Sequence, residues 1–371
     1  MKISVLTNNL QRKLSFINHA VSSKTQIPVL SNILLEAKDR KLRLASTDLE
    51  IGVEIVIPAD IEEEGATTVP AKSFIELISS ISEDRLQLIS STTSLEVVTG
   101  KTKSSFQTIP REEFPRLYEG RGEQIVKLPL IKFQSELATV VFSASQDTTR
   151  PALSGVLVKP EKEGILLVAT DGYRLSLKHY RTEKGEALTP NITQLLIPAR
   201  VAREIISLKD ETGDISLFVS ASNNQILFEI GETLLVGRLL EATYPDYERL
   251  IPSDFSLKVL FDVEEMQKAV KICSIFAREA ANIITLSIEK GKTTVSSKTP
   301  SLGGNSVTVE TVMTGEENEI AFNARYLQDL FGNIKTDTIE FEMVGPLNPG
   351  VFRLKSDPSY LHLIMPIRTQ E

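Results

Sequence analysis

The side chains in this sequence that could do covalent or metal chemistry are few and scattered. Three histidines, His19, His179 and His362, have no metal-ligand spacing with one another or with the single Cys273. Cys273 lies in EEMQKAVKICSIFA, whose apolar spacing is helical, so it reads as a packed thiol and not as a nucleophile. A lone cysteine forms no internal disulfide, which suits a reducing cytosol. No Gly-x-Ser-x-Gly elbow occurs. Gly100-Lys101-Thr102 and Gly291-Lys292-Thr293 look like the end of a phosphate loop. Such a loop needs a glycine five positions before the second one, and Leu95 and Leu286 stand there. Both triplets also lie among strand-like residues, with no helix opening after them. Asp48 and Asp171 could act as acids or metal ligands, but their matching places at strand ends favour turns. No catalytic residue, metal site or cofactor is expected.

Recognition chemistry is more visible. In VATDGYRLSLKHY, from Val168 to Tyr180, Asp171-Gly172 is a hairpin signal between two strand-like runs. A bare turn does not require Tyr173 and Arg174 beside it, so the turn is a candidate for presenting groups to a partner. Residues 1 to 35 contain Lys2, Arg12, Lys13 and Lys24 and no acidic residue. The whole chain carries a net charge of −8. That balance argues against gripping nucleic acid with the entire surface, yet it permits a local basic face.

The elements that must position these residues come in threes. VPAKSFIELI from Val69, IPARVAREII from Ile197 and FNARYLQDLF from Phe322 share one pattern and recur about 125 residues apart. Ser46-Thr47-Asp48 matches Ala169-Thr170-Asp171. Phe114-Pro115-Arg116-Leu117 matches Tyr244-Pro245-Asp246-Tyr247, and Met365-Pro366-Ile367-Arg368 closes the third copy. Each copy opens with a short strand and an amphipathic stretch: NNLQRKLSFINHAVSS, LIKFQSELATVVFSAS or VEEMQKAVKICSIFAR. Strand-rich regions follow, with hairpin loops at Ala37 to Arg40, Glu161 to Gly164 and Glu289 to Lys292. The order strand, helix, strands appears twice per copy. This is an α+β plan, with antiparallel sheets on one side and paired helices on the other. Open sheet edges must be covered or paired, and similar domains paired edge to edge can close into a ring. A chain of 371 residues with 41% hydrophobic and 24% charged residues suits several soluble domains. Its N-terminus lacks a signal-peptide pattern, and its apolar runs are too short for a membrane helix, so no membrane partner is expected.

The strings TVPAKSF, SQDTTRPALSG, ATDGYRL, YPDYERLIP and MPIR, in this order within a threefold unit, resemble the bacterial DNA polymerase III beta subunit, the sliding-clamp family. The resemblance spans the whole chain. It implies three clamp domains, at 1–124, 125–252 and 253–371, each of two strand-helix-strands modules. It also implies a head-to-tail homodimer forming a ring, with helices lining the hole and sheets outside. Double-stranded DNA would thread the hole without sequence readout, and no reaction would be catalysed. Partners would be the replicative polymerase alpha subunit, the clamp loader, other polymerases and repair proteins, all in the cytoplasm.

Candidate inner residues are Arg12 and Lys13 on the first helix, Lys24 just after it, and Lys72, Arg200, Arg203 and Arg325 near the second helix of each unit, while Gln146 and Arg150 sit on the loop SQDTTRP, which resembles the family's DNA-touching loop. Lysine and arginine facing phosphates would give sliding contact without base recognition. The resemblance also implies a peptide pocket between the second and third domains. The second domain would supply Leu153, Thr170, Gly172, Tyr173, Arg174, Leu175, Pro245, Arg249 and Leu250. The third would supply Asn323, Tyr326, Leu347, Pro349, Leu363, Ile364, Met365, Pro366, Ile367 and Arg368. Apolar anchors in a preformed groove, with a few polar guides, are what a short linear motif needs to offset its ordering entropy. In the first copy, Leu49-Glu50-Ile51 replaces Gly172-Tyr173-Arg174, so that chemistry is not repeated. Three features depart from the family pattern: Thr369-Gln370-Glu371 follows the closing string, GPLNPGVF is a residue longer than usual, and the third unit's link SSKTPSLGGNSV matches the others poorly. Two other readings stay open, a scaffold of the same fold that binds no DNA and an enzyme using Asp48 or Asp171.

Overall fold

The computed structural model describes residues 1–22, 25–182, 192–209, 211–279, 281–300 and 303–368. The first repeat runs β1 (Lys2–Leu6), α1 (Thr7–Ile17), β2 (Asn32–Lys38), β3 (Lys41–Thr47), β4 (Ile51–Pro58), β5 (Asp60–Glu63), β6 (Gly65–Pro70), α2 (Ala71–Ser80), β7 (Arg85–Ser90), β8 (Ser94–Val98) and β9 (Lys103–Gln107). The second runs β10 (Glu123–Pro129), α3 (Leu130–Val141), β11 (Gly155–Glu161), β12 (Gly164–Thr170), β13 (Arg174–Arg181), β14 (Leu195–Pro198), α4 (Ala199–Ser207), β15 (Asp214–Ser220), β16 (Gln225–Ile230) and β17 (Thr233–Arg238). The third runs β18 (Leu257–Asp262), α5 (Val263–Ala277), β19 (Ile283–Glu289), β20 (Lys292–Thr299), β21 (Gly303–Glu310), β22 (Val312–Gly315), β23 (Asn318–Asn323), α6 (Ala324–Asn333), β24 (Thr338–Met343), β25 (Gly350–Leu354) and β26 (Asp357–Ile364). The expected strand, helix, strands order is therefore present twice in every repeat.

Local chemistry explains the breaks between these elements. Asp39 and Arg40 adopt φ of 50° and 59° between β2 and β3, the conformation a two-residue hairpin demands. Gly291, at φ 84°, turns β19 into β20. Asp262 caps α5 by accepting from the Glu265 amide at 2.9 Å, and Asn323 caps α6 by accepting from Arg325 at 3.0 Å. Gln11 on α1 donates to the carbonyls of Ile78 and Ile81 at 2.8 and 2.9 Å, satisfying the end of α2. Gln267 on α5 does the same for Phe331 of α6, at 3.4 Å. The two Gly-Lys-Thr triplets sit in the β8–β9 and β19–β20 hairpins, where no helix follows.

Among the described residues the strands form four antiparallel sheets, and two of them cross repeat boundaries. One has the order β10-β15-β16-β17-β4-β3-β2-β6, and the other β14-β11-β12-β13-β26-β25-β24-β18-β22. The remaining sheets are β5-β1-β7-β8-β9 and β21-β20-β19-β23. The last strand of the second repeat thus pairs with the fourth strand chain-wise of the first, and the last strand of the third pairs with its counterpart in the second. Because strand pairing ignores the repeat boundary, the chain separates into two compact units. One is Met1–Phe133 with Glu204–Leu239, and the other is Gln134–Arg203 with Leu240–Glu371.

In the second unit, α5 and α6 cover an aromatic core. Phe341 stacks against Phe261 at 5.8 Å, lies tilted against Phe352 at 4.9 Å, and meets Phe322 edge-on. Cys273 is buried in this core with its sulfur toward the Val295 carbonyl, and burial raises its pKa. That is a packing role, as its helical setting suggests.

Candidate functional site

The turn between β12 and β13 is built by two side chains acting on the backbone. Asp171 Oδ1 accepts from the amides of Tyr173 and Arg174 at 2.9 and 3.0 Å. Thr170 donates its hydroxyl to the Arg174 carbonyl at 2.6 Å and accepts from the Gly172 amide at 3.0 Å. The first repeat builds the same turn. Asp48 accepts from Glu50 and Ile51, Thr47 donates to the Ile51 carbonyl, and Leu49 donates to Thr47. Asp48 and Asp171 are therefore turn formers. The third residue of each turn needs a positive φ, which is 92° at Gly172 and 77° at Leu49. Glycine adopts this freely, whereas Leu49 is held in a conformation costing about 1 kcal/mol or more.

Strand alternation then divides the neighbouring residues between two faces of one sheet. Antiparallel pairing sets Arg174 opposite Ile364, Leu175 opposite Leu363, Ser176 opposite His362, Leu177 opposite Leu361 and Lys178 opposite Tyr360. Leu175, Leu177, Leu361 and Leu363 join a cluster with Tyr244 and Tyr247, and Met365 and Ile251 pack at its edge. Beside this face Tyr173 is exposed, Leu153 lies 3.8 Å from where a Gly172 Cβ would stand, and Pro245, Arg249 and Leu250 are exposed. Met365 donates its amide to the Tyr173 carbonyl at 2.8 Å, so the closing segment is tied to the turn. Leu347 is exposed, Pro349, Pro366 and Ile367 are half-buried, and Arg368 is exposed.

Other residues expected in the pocket are engaged within the protein. Ile364 is fully buried in the aromatic core of the third repeat. Asn323 is engaged as the cap of α6. Arg174 points to the opposite face, where it is 9% exposed. Its Nε donates to Asp171 at 3.1 Å, Nη1 to Asp329 at 2.5 Å and Nη2 to the Phe142 carbonyl at 2.9 Å. The guanidinium also lies 4.6 Å from the centre of the Tyr326 ring.

That opposite face carries a buried polar seam which inspection of the sequence missed. Ser176 bonds both Ser143 and His362 Nδ1 at 2.8 Å. Lys178, 3% exposed, pairs with Glu136 at 2.9 Å and with Asp357. Burial first, and the nearby Arg174 charge second, hold the His362 pKa well below the ordinary value. The corresponding first-repeat seam, β4 with β17, sets Val53 opposite Leu235 and Ile55 opposite Thr233, whose hydroxyl donates to Glu211 at 2.8 Å. Near its turn lies a cavity of about 360 Å³, lined among others by Leu49, Glu50, Arg116, Tyr118 and Arg238. The first-repeat turn therefore lacks the Arg174 contacts of the second.

Three of the expected basic residues fall at matching helix positions. Lys72, Arg200 and Arg325 are each the second residue of α2, α4 and α6, and all three are exposed. Arg12 and Arg203 are also exposed on their helices. Gln146 and Arg150 lie on the exposed loop before the Pro151 turn. Lys13 is half-buried and already ion-paired with Glu211. Lys24 and Thr369-Gln370-Glu371 lie outside the described residues. Among the described residues no helix is long and apolar enough to cross a membrane. Nor does any cluster of three His, Cys, Asp or Glu side chains there suit a metal.

Three repeats, each with two helices and antiparallel strands, define a clamp-type α+β protein. Models of the DNA polymerase III beta subunit match its N-terminal domain to residues 1–118, its central domain to 127–246 and its C-terminal domain to 248–368. The chain belongs to the DNA polymerase III beta subunit family, the sliding clamps. It is 29% identical to the beta sliding clamp of Staphylococcus aureus over 362 residues, covering 94% of each chain. The sliding clamp of Bacillus subtilis superposes over 100% of both chains with a TM-score of 0.93 at 26% identity. A Bartonella birtlesii sliding clamp bound to griselimycin does so with the same three values.

Proposed function

We propose that two copies of this chain close into a ring that encircles duplex DNA and tethers the replicative polymerase, without catalysing a reaction. Strand pairing carries the reading. Two of the three repeats already hand their last strand to the preceding repeat, as β17 to β4 and β26 to β13. The same step leaves β9 and β21 as unmatched edges at the two ends of the series. Pairing β9 of one copy with β21 of another is that step taken a third time, and two copies in a ring leave neither edge open. Ile272 and Ile275 on α5, which packs on β21, are 43% and 58% exposed and would be covered there.

The three-domain division at residues 124 and 252 follows from this reading. So does a basic lining of Arg12, Lys13, Lys72, Gln146, Arg150, Arg200, Arg203 and Arg325; Lys24, outside the described residues, is a further candidate from the sequence alone. Phosphate contact from such a lining is sequence-independent and lets the ring slide. The face around Leu175, Leu363, Met365, Tyr173, Pro245 and Leu250 would take short motifs from the polymerase alpha subunit, the clamp loader, other polymerases and repair proteins in the cytoplasm.

Solution mass together with retention on DNA tests the proposal. A two-chain species loaded on closed circular DNA should stay bound, and linearising the DNA should release it. A monomeric mass, or equal retention on circular and linear DNA, would sink it.

A further inference from the structure

We propose that Asp329 on α6, acting through Arg174, is a positioning residue that holds the Tyr173 turn in its binding shape. This rests on reading the Leu175–Leu363 face as a peptide site. Arg174 was a candidate to hydrogen-bond a peptide directly. Its guanidinium instead lies on the helix-covered face, and each of its three nitrogens already donates within the protein, to Asp171, Asp329 and the Phe142 carbonyl. Tyr326 stacks beneath it. Three of these four partners lie on or beside helices, and the fourth, Asp171, belongs to the turn. Arg174 is therefore a strut running from the turn, through the sheet, to α6.

The first repeat is an internal control. Its turn at Thr47 to Ile51 has the same backbone hydrogen bonds, yet Ile51 stands at the Arg174 position and no strut exists. The turn thus forms without the strut, and the strut must serve something besides turn formation. The acid has counterparts as well. In the aligned helix strings the sixth residue after the capping position is Glu76, Glu204 and Asp329. Glu204 binds the exposed His19 at 2.6 Å, whereas Asp329 binds the buried Arg174. Asp329 itself is 45% exposed, so replacing it leaves no large void and leaves Arg174 with two of its three acceptors. Tyr173 donates its amide to Asp171 and offers its carbonyl to Met365, so movement of the strut reaches both sides of the face.

The test uses the full chain, griselimycin as the probe because it binds the Bartonella birtlesii relative, and calorimetry for affinity. Hydrogen exchange at the Gly172, Tyr173 and Arg174 amides is read without ligand. Asp329→Ala should weaken binding about five- to tenfold and speed exchange at the turn by a similar factor. Asp329→Glu should restore most of both. Arg174→Ala combined with Asp329→Ala should bind no worse than Arg174→Ala alone, because the two act as one unit. Glu204→Ala should change neither readout. Unchanged exchange and affinity in Asp329→Ala, or additive losses in the double variant, overturn the proposal. If the parent chain itself fails to bind griselimycin while exchange still rises in Asp329→Ala, the peptide-site reading fails and the anchoring of the turn by Asp329 is upheld.

Discussion

Protonation of His362 should weaken the seam between β13 and β26 as the pH falls. The imidazole is fully buried, bonds Ser176 through Nδ1, and lies 5.4 Å from the Phe142 ring and 6.3 Å from that of Phe352. Burial, reinforced by the Arg174 charge, depresses its folded pKa well below that of the unfolded chain, about 6.5. With a depressed histidine pKa, the unfolded state binds more protons than the folded state once the pH drops below about 6.5. Stability is therefore lost as pH falls through that value, with a slope approaching about 1.4 kcal/mol per pH unit. From pH 7.5 to 5.0 the loss from this one group is about 2 kcal/mol, provided the folded imidazole stays neutral. The carboxylate of Asp357 has its pKa lowered against desolvation by Lys178 and Ser359, and it titrates below this window. His362→Phe preserves the ring packing and leaves Ser176 bonded to Ser143. The variant should cost about 1 kcal/mol at pH 7.5 and show about 2 kcal/mol less acid destabilisation than the parent. Urea unfolding followed by circular dichroism at the two pH values measures both quantities. An equal acid-induced loss in parent and variant would refute the reasoning, as would a His362 imidazole resonance titrating near 6.5, identified by its absence from the variant.

Two further outcomes follow from burial and backbone geometry. Lys178→Ala leaves Glu136 and Asp357 without their shared cation, and should cost about 3 kcal/mol in urea unfolding. That is the low end for a buried pair because Asp357 is 37% exposed and rehydrates; a loss below about 1 kcal/mol would mean the pair contributes little. Gly164→Ala would place a Cβ 1.9 Å from the Tyr180 carbonyl at a φ of 151°, so the melting temperature should fall by an amount equivalent to about 3 kcal/mol or more, and an unchanged value would show that the β12–β13 hairpin relaxes freely.

Much of the architecture was legible in the residues because it is repeated. A helix-opening string seen three times, hairpin turns with Gly or Asp at fixed places, and a Thr-Asp pair ending matching strands each encode local geometry, and the structure contains each. The exposed basic second residues of α2, α4 and α6 were readable for the same reason. The buried seam was not readable. In RLSLKHY the polar residues alternate with apolar ones, a pattern that fits a strand with one solvated face. Arg174, Ser176 and Lys178 are nonetheless buried, because α6 and the segment around α3 cover that face and supply Asp329, the Phe142 carbonyl, Ser143 and Glu136. One hint was present, the acid shared by Glu76, Glu204 and Asp329.

The order of elements, the threefold repeat, the turn at Asp171 and the absence of familiar catalytic motifs all follow from the linear chain, since each depends on residues within a few positions of one another. Which way Arg174 points, that Ile364 belongs to a core, and that Arg174, Ser176 and Lys178 are buried were decided only in three dimensions. Strand pairing across repeat boundaries brings together groups such as Ser176 and His362, far apart along the chain. No local pattern specifies such a meeting, because it depends on which distant edge closes the sheet.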